Sequence, residues 1–292
     1  MRGLAAELKK EFGFRLVKLP LDGGFSCPHL ESGGCLYCSQ KGSGDFTSPG
    51  SIKDQLALQK KRLAHKGEGF IAYFQNFSGT FAPLDYLRRV YYEALDDKEV
   101  LALAIATRVD CLGEGVLELL EELNERTFLW IELGFQNINP SVMEAVNLGY
   151  TEQDYRIAMK NLRKRNIRVV SHMIIGLPGS SLEDELATAR AILDEASWGV
   201  KIHSLYVQEG TGLAELYKKG NYIPLEFDDY IRRASRVAQL FGDKVVIHRL
   251  TGDPPRGQLL APDWVLDKRR VLGTLQKELA RLNKEMLKKE NE

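Results

Sequence analysis

Three of the four cysteines fall within twelve residues, as Cys27-x7-Cys35-x2-Cys38. Thiolates are soft donors that suit zinc or an iron-sulfur cluster. Gly23, Gly24, Gly33 and Gly34 surround them, and glycine lets a backbone wrap closely around such a centre. The loop alone leaves two chemistries open: three cysteines holding a cluster, or a tetrahedral Cys3His zinc site completed by His29. A disulfide scaffold is implausible with so few cysteines. Cys111 stands apart and reads as a small buried hydrophobe.

The elements that must position this loop are short apolar runs alternating with segments of helical period, the pattern of a parallel sheet built from strand-helix units. Strands are expected at Phe14 to Pro20, Phe70 to Gln75, Val100 to Thr107, Phe128 to Phe135, Ile167 to Ile175, Val200 to Val207 and Val245 to His248. Helices are expected at Ile52 to His65, Leu84 to Leu95, Glu114 to Asn124, Glu152 to Arg165, Leu182 to Ala196 and Phe227 to Phe241, with Ser51 and Thr151 as N-caps. Six such units fit an open doubly wound sheet or a barrel, and both place chemistry at the C-terminal strand ends. Five ends are polar or glycine-rich: Gln75 to Thr80, Thr107 to Asp110, Glu132 to Asn137, Gly176 to Gly179 and Gln208 to Thr211.

The chain has 292 residues, with 40 basic side chains against 40 acidic. That length supports one large core without disulfides. The balanced charge removes any whole-molecule attraction to nucleic acid or anionic lipid, leaving only local patches. The longest apolar run, Val100 to Ala106, is far short of the roughly 20 residues a membrane helix needs. Met1 to Phe14 is helix-like and lacks the apolar centre of a signal peptide, so a cytoplasmic address is expected.

Several motifs together carry a resemblance. They are Gly34-Cys35-Leu36-Tyr37-Cys38, Tyr73-Phe74-Gln75, Thr107-Arg108-Val109-Asp110-Cys111-Leu112, Gly134-Phe135-Gln136, His172-Met173-Ile174-Ile175-Gly176-Leu177-Pro178-Gly179, Arg249-Leu250-Thr251-Gly252-Asp253 and Pro262-Asp263-Trp264. With the cysteine loop after the first strand, the chain resembles the radical SAM superfamily over most of its length. Within it the chain resembles the subgroup related to Elongator-type and coproporphyrinogen-oxidase-type enzymes, some Gram-positive members of which are linked to maturation of tRNA wobble-uridine side chains. The spacing here is wider than the common x3, x2 form.

The resemblance implies an α/β fold, a partial (β/α)6 TIM-like barrel over residues 1–242. A strand, loop and basic amphipathic helix over 243–292 would pack on it. It implies a 4Fe-4S cluster on Cys27, Cys35 and Cys38, with S-adenosylmethionine (SAM) at the fourth iron and electrons from a reductant such as flavodoxin or ferredoxin. Reductive cleavage of SAM would give a 5'-deoxyadenosyl radical that takes a hydrogen atom from substrate. Tyr37 would pack beside the adenine, and Ser78, Gly79 and Thr80 would receive the SAM amino group. Glu132 and Gln136 would contact ribose or carboxylate, and Ile174 with Gly176 would touch adenine. Leu148 stands where related enzymes place an arginine for the SAM carboxylate, and Arg108 is the cation expected to substitute.

Other residues have plainer readings. His172 and His203 lie in strands, where a core histidine is about as expected as a substrate contact, while His65 and His248 read as surface or packing residues. Glu132, inside Trp130-Ile131-Glu132-Leu133-Gly134, needs a partner or a function. Leu272, Leu275, Leu279, Leu282 and Met286 form a stripe expected to pack on the body, and Lys268, Arg269, Arg270, Lys277 and Arg281 form a solvated face or a track for a tRNA backbone. Arg249 to Gly257, including Arg256, is too rich in proline for a strand interior and is a turn or a substrate loop. A radical SAM enzyme on tRNA, one on a small metabolite, and a non-enzymatic iron-sulfur or zinc protein are the three functions left.

Overall fold

A computed structural model describes residues 1–39, 42, 47–255 and 257–290, excluding the side chains of 289 and 290. Eight strands form one parallel sheet. They are β1 (Arg2–Gly3), β2 (Leu16–Leu21), β3 (Gly69–Phe74), β4 (Val100–Thr107), β5 (Phe128–Gln136), β6 (Arg168–Ile175), β7 (Gly199–Ser204) and β9 (Val246–Arg249), in spatial order β1-β9-β7-β6-β5-β4-β3-β2. The sheet curls into a partial barrel with helices outside. These are α2 (Ile52–Leu63), α3 (Leu84–Leu95), α4 (Glu114–Arg126), α6 (Glu152–Lys164), α7 (Leu182–Asp194) and α9 (Phe227–Phe241). The N-terminal helix α1 (Leu4–Phe12) packs on both β2 and β9, bridging strands from the two ends of the sheet.

Strand alternation divides the core in two. In β5, Leu129, Ile131, Leu133 and Phe135 pack under the helices, whereas Trp130 joins Leu8, Leu16, Ile71, Tyr73, Ala102, Ala104 and Val170 inside the curl. Glu132 is in phase with Trp130 and therefore points into the barrel. Alanines on the inner face of β4 leave volume for the large rings of β3 and β5. The expected caps are present: Ser51 accepts from the Asp54 amide, and Thr151 forms a full capping box with Asp154. Ser181 forms another with Asp184 at the start of α7.

The single strand expected over Val200 to Val207 is two elements. β7 ends at Ser204, and β8 (Val207–Gln208) pairs antiparallel with β10 (Leu259–Ala261) in a small separate sheet. Composition did not reveal the break, because Leu205, Tyr206 and Val207 continue an apolar run past Ser204. The polar Gln208 to Thr211 segment is thus not the end of a barrel strand, and Thr211 instead caps α8 (Gly212–Lys218). That helix and α5 (Pro140–Ala145) are too short for a hydrophobic period to register. The last helix, α10 (Lys268–Glu290), packs on α9 through Val271, Leu275, Leu279 and Leu282. Leu272 and Met286 of the expected stripe are 38% and 47% exposed, since a 4-4-3 step from Val271 turns them away. Arg256 lies outside the described residues. Among those residues no helix is long and apolar enough to cross a membrane.

Candidate active site

The cysteine loop leaves the end of β2 and folds over the open mouth of the barrel. It is held from two sides. The Leu36 amide donates to Val146 O (3.0 Å), and the Leu213 amide of α8 donates to Leu36 O (2.8 Å). The Asn147 side chain donates to Gly34 O and Ser32 O at 2.7 and 3.1 Å. Gly33 and Gly34 have φ of +91° and +69°, which a side chain would strain. Cys27, Cys35 and Cys38, all free thiols, line one cavity of ≈ 280 Å³ together with the ends of β3 to β7.

His29 is not placed as a fourth ligand. Its Nε2 lies 2.6 Å from Asn147 O and its Nδ1 2.8 Å from Ser32 Oγ, so both ring nitrogens are engaged. Among the described residues no three His, Cys, Asp or Glu side chains gather around the position of a single ion. Three thiols on one cavity wall, with both His29 ring nitrogens bonded elsewhere, fit a three-cysteine cluster better than a Cys3His zinc site. A hydrogen bond from Cys38 and the nearby Arg108 guanidinium bring the Cys35 thiol down to about 7, against the effect of burial. Burial pushes Cys27 up.

Arg108, after β4, is fixed by Asp110 and the Leu148 carbonyl. Its Nε and Nη2 donate to Asp110 at 2.8 and 2.7 Å, and Nη2 also donates to Leu148 O at 2.9 Å. Nη1 lies 3.9 Å from Cys35 Sγ, and the guanidinium sits 5.0 Å from the centre of the Tyr150 ring. Leu148 therefore contributes its carbonyl as an anchor for a cation that enters from another strand.

On β5 the register slips between Gly134 and Gln136, and Gln136 has φ +63°. This bulge re-aims Gln136 into the cavity, where its Oε1 is buried without a hydrogen-bond partner among the described residues. A Cβ at Gly134 would lie 2.9 Å from Gln136 Nε2 and 3.3 Å from Tyr150 Oη, so glycine keeps that space open. Tyr37 and Ile174 supply apolar wall. A cation, an unpartnered amide oxygen and a flat apolar surface match the carboxylate, ammonium and adenine of SAM.

Ser78, Gly79, Thr80 and Gly176 are not among the residues that line the cavity. Ser78 Oγ and Thr80 Oγ1 bond to Thr107 Oγ1 at 2.8 and 2.5 Å, and Thr80 also donates to Cys111 O at 2.6 Å. The Gly79 amide donates to Ala106 O at 2.8 Å. This turn thus knits β3 to β4, while Gln75 and Phe77 just before it face the cavity. The Gly176 amide donates to Glu185 Oε1 (3.0 Å) and its carbonyl accepts from Tyr222 Oη (2.9 Å), so Gly176 shapes the turn beneath Ile174. Cys111 is buried, and burial raises its thiol to about 12. His248 is edge-on to Trp130 and Trp198, a packing role, and His65 is exposed.

Glu132 lines the cavity, but both of its oxygens are committed. Oε1 accepts from Trp130 Nε1 at 3.1 Å and Lys18 Nζ at 3.3 Å, and Oε2 accepts from Tyr73 Oη at 2.7 Å and from Lys201 Nζ. Lys201 also donates to Tyr73 Oη at 2.7 Å. Burial alone would raise the Glu132 carboxyl, yet Lys201 and Lys18 hold it well below the usual range. Burial drives Lys201 down. Sequence reasoning missed Lys201, although a lysine within Gly199-Val200-Lys201-Ile202 carries the same signal as Glu132. It also missed Glu185, which burial raises to about 7 and which Arg233 contacts at 3.2 Å.

The family model for the Radical SAM superfamily matches residues 27–192, and that for the Radical_SAM C-terminal domain matches 197–281. The chain is 39% identical to the uncharacterized protein YtqA of Bacillus subtilis (strain 168), over 93% of this chain and 87% of that one. It is 30% identical to the tRNA uridine(34) acetyltransferase of Methanocaldococcus jannaschii over 158 residues, 53% of this chain and 29% of that one. The fold superposes on archaeal Methanocaldococcus infernus Elp3 lacking residues 1–46 with a TM-score of 0.68 at 19% identity, covering 90% of this chain and 63% of that chain. The chain belongs to the radical SAM superfamily, whose cofactors are a 4Fe-4S cluster and SAM.

Proposed function

We propose that this radical SAM enzyme alters the side chain of a tRNA wobble uridine. The observation that carries the reading is one cavity shared by Cys27, Cys35, Cys38, Arg108 and the unpartnered Gln136, opening at the strand ends. When bound, the cluster and SAM supply a one-electron reductive cleavage and the hydrogen-abstracting radical that results. The electron comes from flavodoxin or ferredoxin.

The chain's own residues bind, orient and exclude. Cys27, Cys35 and Cys38 hold the iron. Arg108, immobilised by Asp110 and Leu148 O, meets the SAM carboxylate, and Gln136 Oε1 accepts from the ammonium. Tyr37 and Ile174 confine the adenine. The curled sheet and the apolar plug around Trp130 and Leu8 keep water and stray hydrogen donors from below.

The tRNA assignment draws support from the likeness to a tRNA uridine(34) acetyltransferase and from exposed Lys268, which pairs with Asp253 of the cavity lining. The test is the nucleoside profile of tRNA from cells lacking the protein. A changed wobble uridine is expected. An unchanged profile, with no salt-dependent tRNA affinity of the purified protein, would replace this substrate with a small metabolite.

A further inference from the structure

Below the SAM-facing residues the cavity carries a layer of charge that cofactor binding does not use. Lys201, His172, His203 and Arg249 line it, with Lys18 behind Glu132. Two lysines there share one carboxylate, and the Lys201 side chain is only 3% exposed. Among the described residues Arg249 has one loose ionic partner, Asp253 at 3.8 Å, which Lys268 holds more closely at 2.5 Å. Among the described residues His203 Nε2 is buried without a hydrogen-bond partner. His172 Nε2 lies 3.2 Å from Glu132 Oε2 but is misaligned for a hydrogen bond. Lys18, Lys201 and Arg249 outnumber the carboxylates of Glu132 and Asp253, the second of which Lys268 shares, and a partly buried excess of cation is costly unless an anion completes it.

We propose that this layer is an oxyanion subsite for the substrate, in which a carboxylate or phosphate group enters the barrel and accepts hydrogen bonds from Lys201, Arg249 and His203. The site selects substrates that carry such a group near the carbon to be altered, and it orients them below the SAM-facing wall. Glu132 and Tyr73 hold Lys201 in place, acting as positioning residues. The inference rests on reading this cavity as the place where substrate meets the SAM-derived radical.

The test titrates sodium acetate and sodium phosphate, with sodium chloride as ionic-strength control, into anaerobic cluster-loaded protein whose histidine rings are isotopically labelled. The chain has five histidines, so the His172 and His203 resonances are separable by substitution. Saturable shifts of those two rings are expected. Their midpoints should rise at least tenfold in Lys201→Met and in Arg249→Met, and stay unchanged in Lys60→Met, whose lysine pairs with Asp97 elsewhere. If Lys201→Met does not fold, Arg249→Met carries the comparison. Saturation by acetate identifies a carboxylate, and saturation by phosphate a phosphate ester. Shifts that never saturate, or midpoints unmoved in the variants, overturn the proposal. Because the readout involves neither SAM cleavage nor tRNA, its failure leaves the enzyme assignment standing, and a failure of that assignment is seen separately.

Discussion

Replacing Glu132 by Gln keeps the shape of the side chain and removes its charge, so it isolates the electrostatic role of the carboxylate. Removing one partner of a buried ion pair costs about 3–5 kcal/mol, because the other charge is left uncompensated. The low end applies here. The Lys18 side chain is 26% exposed and keeps some hydration. Lys201 is nearly buried but can shed its proton, which at pH 7 costs at most about 5 kcal/mol relative to a lysine titrating at 10.5. A loss of about 3 kcal/mol at pH 7 is therefore expected, or a fall of roughly 6–12 °C in Tm for a chain of this size. The sign with pH follows from Lys201: losing Glu132 lowers it further, so the extra penalty is present at low pH and disappears as pH rises through the lysine's wild-type value, itself below 10.5. The deficit of Glu132→Gln should thus shrink between pH 7 and pH 10. Urea denaturation followed by tryptophan fluorescence reads this, since Trp130 donates to Glu132. The double variant with Lys201→Met should be closer to wild type than Glu132→Gln alone. A loss under about 1 kcal/mol at pH 7, or an equal loss at pH 7 and 10, would refute the buried-charge account.

Further outcomes follow from the same geometry. Anaerobically reconstituted protein should show brown cluster absorption that disappears in Cys27→Ser, Cys35→Ser or Cys38→Ser and persists in Cys111→Ser; stoichiometric zinc without iron uptake would contradict the cluster. Gln136→Ala should weaken SAM binding roughly tenfold or more, the cost of a hydrogen bond to a charged group, and unchanged binding by equilibrium dialysis would remove β5 from the cofactor site. Glu185, raised to about 7 from 4.5, favours the fold below pH 4.5 and loses that contribution as pH rises through 7, about 3 kcal/mol in all. Wild-type stability should accordingly fall between pH 5 and 8, and Glu185→Gln should flatten that fall; parallel pH profiles by thermal melts would exclude Glu185 as its source.

What could be read from the chain alone is whatever depends on local spacing. The cysteine loop, the order of strand-helix units and β4 with Val100 to Thr107 were all legible, because ligand convergence and side-chain periodicity are properties of neighbouring residues. The family followed from short motifs at strand ends. Tertiary structure decided what depends on register and curl. It showed that Ser78 and Thr80 bond to Thr107 at the join of β3 and β4, although their glycine-rich neighbourhood in sequence looks like a cradle. It turned Gln136 inward through a bulge that composition does not announce. It brought Lys18, Glu132 and Lys201 together from β2, β5 and β7, more than a hundred residues apart at the extremes. Each of these charges alone looks like an isolated anomaly in an apolar strand, and only closing the sheet around a common interior makes them one site.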